Sequence, residues 1–170
     1  TLLENKVDGY YTLHFYAIDR FNKICNLTET FTFEKVNNFV PKLSIEDNFM
    51  ELYNANNIPT ITIKGHIIDE DINDKITIYY NFIDKNNNKI LEEDSVLATV
   101  NITDDSLEPY VFSETINIQE LKLSTTPEVK EYMLIIYAKD NRVNIDGTIN
   151  TSNKFDKIIS IKGNESPVFN

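Results

Sequence analysis

The stretch TITIKGHII at residues 60–68 sets Ile61, Ile63, Gly65 and Ile67 against Thr62, Lys64 and His66. A period of two places the two sets on opposite faces of a strand, so the apolar set needs a second apolar face to cover it. The same alternation returns in KITIYYNFI (75–83), SVLATVNI (95–102), YVFSETINI (110–118), EYMLIIYAK (131–139) and NKFDKIISIK (153–162). KLSI (42–45) is a short opening strand, and DNFMELYNANN after it is mixed and ends in turn residues. Polar turns such as DEDIND, DKNNNK and TDDSLEP separate the runs. No segment sustains a helical period. About seven short alternating strands joined by polar turns predict an all-β fold, an antiparallel sandwich with strands lettered A to G.

Part of this pattern is written twice. Tyr16-Ala17-Ile18-Asp19 matches Tyr137-Ala138-Lys139-Asp140, and the same offset pairs Tyr11 with Tyr132, Leu13 with Leu134 and Phe15 with Ile136. Matches at every second residue describe one strand face, closed by Asp. Downstream, Asn38-Phe39-Val40-Pro41 echoes Asn164-Glu165-Ser166-Pro167. Proline cannot donate to a ladder and suits a domain junction. A period of ~120 residues is too long for a solenoid and suits beads on a string. The expected organisation is tandem modules: the C-terminal strands of a preceding domain at 1–37, a linker at 38–41, a complete sandwich at 42–163, and a linker to a following domain at 164–170. On this reading the chain is an excerpt from a longer polypeptide.

Charge narrows the partners. The net charge of −11, from 27 acidic and 16 basic residues, repels phosphate backbones and anionic lipid, which argues against nucleic-acid or membrane-surface binding. It tolerates divalent cations. Cys25 is the single cysteine, so no internal disulfide forms, which suits the cytosol or a surface protein that does without disulfides. No apolar run approaches the ~20 residues of a membrane helix.

The run IKGHIIDEDINDKITIYYNFID, followed later by YMLIIYAKDN, resembles the immunoglobulin-like and cadherin-like modules of large surface proteins in bacteria and unicellular eukaryotes. The shared pattern is a Gly in strand B, an acidic B–C turn, an alternating strand C ending in Asp, and a strand F ending Ala-x-Asp. It covers most of 41–163. The resemblance implies tandem immunoglobulin-like sandwiches at an extracellular, cell-surface location. The chain lacks the full set of calcium signatures that metazoan cadherins carry at their junctions.

In such a topology the B–C, D–E and F–G loops gather at one end. Asp69, Glu70, Asp71 and Asp74, with Asp104, Asp105 and Asp140, should then meet beside the preceding domain. Clustered oxygen ligands suit calcium, which takes about six to eight of them. A solvated acidic turn whose aspartates cap local amides fits the same residues. The segment DKNNNKILEEDS (84–95) opens like an EF-hand loop. Lys89 stands where that loop needs glycine and Ser95 where it needs glutamate, so the segment reads as a hairpin turn. Tyr132, early in strand F, is placed either to bond its hydroxyl to nearby backbone or to be an ordinary half-buried tyrosine.

The second face of strand F carries Met133, Ile135 and Tyr137, with Tyr79 of strand C beside them. An apolar outer face is a candidate partner surface. Cover by the chain's own excursions, KILEEDSVL or the E–F connection, is the reading favoured for it. The tyrosines also suit a sugar platform.

For catalysis the pattern is poor. His14 and His66 lie on different strands, and neither has Cys or His at ligand spacing. No Gly-rich phosphate loop, nucleophile elbow or HExxH motif occurs. Asn-x-Ser/Thr triplets at Asn26, Asn101, Asn150 and Asn164 either accept glycans or arise by chance in an Asn- and Thr-rich chain. The expected function is a non-catalytic module of a cell-surface protein, a stalk or adhesion domain stiffened by calcium. Its partners would be a protein or glycan on another cell, or neighbouring modules. The alternative is an accessory substrate-binding or spacer domain of a secreted enzyme. Many further copies at this period favour the first, and a catalytic domain nearby favours the second.

Overall fold

A computed structural model describes residues 9–35, 38–54, 60–71, 74–103, 108–119, 121, 123, 128–144 and 147–163. The expectations placed on Asp104, Asp105 and the 164–167 motif lie outside the described residues. The chain divides into two compact units, Thr1–Asn38 and Phe39–Asn170.

The first unit is a hairpin of β1 (Gly9–Ile18) and β2 (Ile24–Lys35), paired antiparallel. Asp19 makes the turn, its Oδ1 accepting the amides of Phe21 at 2.8 Å and Lys23 at 2.9 Å. Asn22 takes a left-handed conformation with φ of 61°, which asparagine tolerates well. Phe15 and Phe31 meet edge to face at 5.9 Å. Leu13, Phe15 and Phe31 remain 40%, 46% and 57% exposed.

The second unit contains β3 (Lys42–Ile45), β4 (Leu52–Asn54), β5 (Thr60–Ile68), β6 (Lys75–Ile83), β7 (Ser95–Asn101), β8 (Tyr110–Asn117), β9 (Val129–Val143), β10 (Ile149–Thr151) and β11 (Phe155–Lys162). One sheet runs β3-β5-β8, and the other runs β4-β11-β9-β6-β7, with β10 on β9. All pairs are antiparallel except β4 with β11. This is the expected all-β architecture, with three refinements. The fourth expected strand, β7, pairs with β6 and so joins the larger sheet. Two three-residue strands, β4 and β10, occur where no period is long enough to read. Strand β9 runs on to Val143, so Asp140 lies inside the strand rather than entering a loop.

The core follows the alternation. Ile61, Ile63 and Ile67 of β5, Ile76, Ile78 and Phe82 of β6, and Leu134, Ile136 and Ala138 of β9 are fully buried. Each large side chain so buried contributes about 1.5–3 kcal/mol. Gly65 keeps β5 close to its neighbours. A Cβ there would lie 2.3 Å from the Ser44 carbonyl oxygen and 2.9 Å from the Phe112 ring. Tyr132 donates its hydroxyl to the Leu123 carbonyl oxygen nine residues upstream, the backbone-bonded alternative.

Candidate metal centre

Period two does more than fill the core: it carries carboxylates to the end of it. The inward row of β5, Ile61-Ile63-Gly65-Ile67, continues past the strand to Asp69 and Asp71, both buried. The inward row of β6 begins one step early with Asp74 ahead of Ile76. In β9 the row Tyr132-Leu134-Ile136-Ala138 ends on Asp140. β6 and β9 are antiparallel, so these row ends meet at one edge of the sandwich. Asp69, Asp71, Asp74 and Asp140 are only 2–5% exposed. One carboxylate oxygen from each of Asp69, Asp71 and Asp74 lies within 4.8 Å of the others.

Each carboxylate has found part of what it needs. Asp69 Oδ1 accepts the Asp71 amide at 2.9 Å, and Asp140 Oδ1 accepts the Arg142 amide. Asp74 Oδ1 faces Arg142 Nη2 at 2.6 Å, and Asp71 Oδ1 faces Nη1 at 3.7 Å. Asp71 Oδ2 accepts the Phe39 amide at 2.6 Å, and Asn150 Nδ2 donates to the Phe39 carbonyl oxygen at 2.9 Å. The first residue of the second unit is thereby tied to the cluster. The Oδ2 atoms of Asp69, Asp74 and Asp140 are buried and meet no hydrogen-bond donor among the described residues.

The electrostatics follow from that shortfall. Burial pushes the Asp69 carboxyl up to about 6, and the charges of Asp71, Asp74 and Asp140 push the same way against the Asp71 amide. Burial also raises Asp74, against the opposing guanidinium of Arg142. Two of the four carboxylates, Asp71 and Asp74, face the Arg142 guanidinium, and buried charge without partners is costly. A hard divalent cation with oxygen ligands fits this donor set.

Of the expected acids, Asp69, Asp71 and Asp74 form the close group, and Asp140 lies near enough for its charge to raise Asp69 and Asp74. Glu70 does not: it is exposed and pairs with Lys42 at 3.3 Å. Arg142 was not singled out by sequence. Its signal was available, since it follows Asp140 by two on the same strand face. Extending the β6–β9 register from Thr77↔Lys139 sets it opposite Asp74.

The apolar outer face is built differently. Tyr79 and Tyr137 stack at 5.6 Å, and Met133 and Ile135 are half-buried. The excursion after β6 covers part of it. Asn81 Nδ2 donates to the Leu91 carbonyl oxygen at 3.1 Å and to Asp94 Oδ1 at 2.6 Å. Asp94 also accepts the Tyr137 hydroxyl at 2.6 Å and Lys89 Nζ at 2.7 Å. The EF-like segment is a hairpin turn: Asp84 Oδ1 accepts the amides of Asn86 and Asn88, each at 2.8 Å.

No protein-family model matches the sequence, and no curated protein does. Solved structures similar in fold include dimeric latent PorU from Porphyromonas gingivalis, at 12% identity and a TM-score of 0.36, with 93% of this chain covering 13% of that one. AggA, the major subunit of aggregative adherence fimbriae type I from Escherichia coli, is 11% identical with a TM-score of 0.37, over 75% of this chain and 98% of that one. A protein from Archaeoglobus fulgidus is 11% identical with a TM-score of 0.33, over 76% of this chain and all of that one. Likeness at this level assigns neither family nor function.

Proposed function

We propose that this chain is a non-catalytic sandwich module of an extracellular protein, a stalk or adhesion element whose Asp69–Asp74–Asp140 end binds calcium. The observation that carries the reading is the set of three buried Oδ2 atoms, from Asp69, Asp74 and Asp140, without donors. Water-filled turns do not leave acids in this condition, because solvated carboxylates keep their hydration. Calcium takes its oxygens in a flexible arrangement, so these atoms, the Asp71 carboxylate, backbone carbonyls and water make a sufficient set. A cation there would hold the ends of β5, β6 and β9 together and brace Phe39, where the unit begins. The hairpin β1–β2 supports a tandem arrangement. Its row Tyr11-Leu13-Phe15-Ala17 matches the buried row of β9, and its exposed apolar side chains suit the last two strands of a preceding sandwich. Amide hydrogen exchange tests the reading: calcium should slow exchange at 69–71, 74–75 and 140–144 relative to chelator. Unchanged exchange in these segments would remove the support.

A further inference from the structure

A pocket lies on the outer face of β9. It has a volume of about 310 Å³ and includes Ile83, Ile135, Tyr137, Lys139, Thr151 and Lys154 in its wall. Lys139 Nζ stands 5.5 Å from the ring centres of both Tyr79 and Tyr137. Lys154 Nζ stands 5.9 Å from that of Tyr137. Two ammonium groups thus converge on one aromatic ring.

Three lysines of this acidic protein pair with acids: Lys42 with Glu70, Lys89 with Asp94 and Lys157 with Asp47. Lys139 and Lys154 have no carboxylate partner among the described residues. The acid at the pocket, Asp94, is already engaged by Lys89, Asn81 and Tyr137. The unmatched charge is therefore positive, in a chain of net charge −11. Ring faces offset part of the mutual repulsion of the ammonium groups, and an anion would offset more.

We infer that this pocket binds the carboxylate of an acidic sugar residue. Lys139 and Lys154 would hold the carboxylate, the Thr151 hydroxyl a ring hydroxyl, and Ile83 and Ile135 the apolar face of the ring. The size suits a single ring, since 310 Å³ is at the small end of ligand pockets. A peptide fits less well. Lys139 is paired on both sides, with Thr77 of β6 and Thr151 of β10, so no ladder groups remain there to recognise a peptide backbone.

The test is a nuclear magnetic resonance titration of the whole 170-residue chain with glucuronic acid, with glucose as its uncharged counterpart, and with a short Asp/Glu-rich peptide. Glucuronic acid should shift the amides of Lys139, Thr151 and Lys154 saturably, and glucose should not. Lys139→Gln and Lys154→Gln should each weaken binding roughly tenfold or more, as expected for loss of a charge-assisted contact, while retaining the wild-type spectrum elsewhere. No saturable shift, equal binding of glucose, or unweakened binding by both variants overturns the proposal. Tighter binding of the peptide at the same amides overturns the assignment to a sugar.

Discussion

The two ends of β6 carry aspartates in opposite conditions. Beyond its C-terminal end, Asp84 and Asp94 are supplied with donors: backbone amides for Asp84, and Lys89, Asn81 and Tyr137 for Asp94. Burial raises Asp94, but its hydrogen bonds outweigh burial and hold the carboxyl down at about 2. At the N-terminal end, Asp74 joins Asp69 and Asp140 in a buried group with oxygens left over, and Asp69 is pushed up to about 6. Acidic residues alone do not mark a site. Supplied with donors they fasten a loop, and buried without donors they fit the cation proposed above.

The contrast can be broken by mutation. Asp94→Ala strands Asn81 Nδ2 and the Tyr137 hydroxyl, and should destabilise the protein by about 2–3 kcal/mol, read as a lower urea midpoint. Asp69→Asn keeps an acceptor for the Asp71 amide while removing a buried charge. In metal-free buffer it should stabilise by about 1 kcal/mol while weakening calcium binding. A destabilised metal-free Asp69→Asn would erase the distinction between the two ends.

The pH dependence should also have opposite signs at the two ends. Asp69 has a folded value near 6, raised from 3.8. Its contribution to metal-free stability is fully present below the unfolded value and is lost as pH rises through 6. Acidification from pH 7 to 4 should therefore stabilise the metal-free protein, with Asp74 adding in the same direction, and Asp69→Asn should flatten that slope. Asp94, lowered to about 2, contributes stability above 3.8 that is lost as pH falls through 2, and Asp94→Asn should flatten that lower limb. Asp84→Ala, in an exposed turn, should give the smallest change, a slight lowering of the melting temperature with calcium binding unaffected.

Much of this was legible in the alternation. The longer strands, their inward rows and the arrival of Asp69, Asp71, Asp74 and Asp140 at one end follow from period two and antiparallel order. The echo of YAIDR in YAKDN extends to one hydrogen bond, since Asp19 in a turn and Asp140 within β9 each accept the amide two residues on. Other features depend on contacts that sequence does not index. Glu70 sits between two cluster members, beyond the end of β5, yet pairs with Lys42. Arg142 lies beyond the expected end of strand F. Asn81 interrupts an apolar row, and its value appears only when the 89–95 excursion folds back over it.

The central claim is that the buried oxygens of Asp69, Asp74 and Asp140 form a calcium site, and isothermal titration calorimetry of calcium into the metal-free protein tests it most directly. The account predicts one saturable event, strongly weakened in Asp69→Asn and Asp140→Asn and unchanged in Asp84→Ala, with a melting temperature that rises with calcium concentration. No saturable heat together with an unmoved melting temperature, or binding that persists unchanged in both cluster variants, would contradict it.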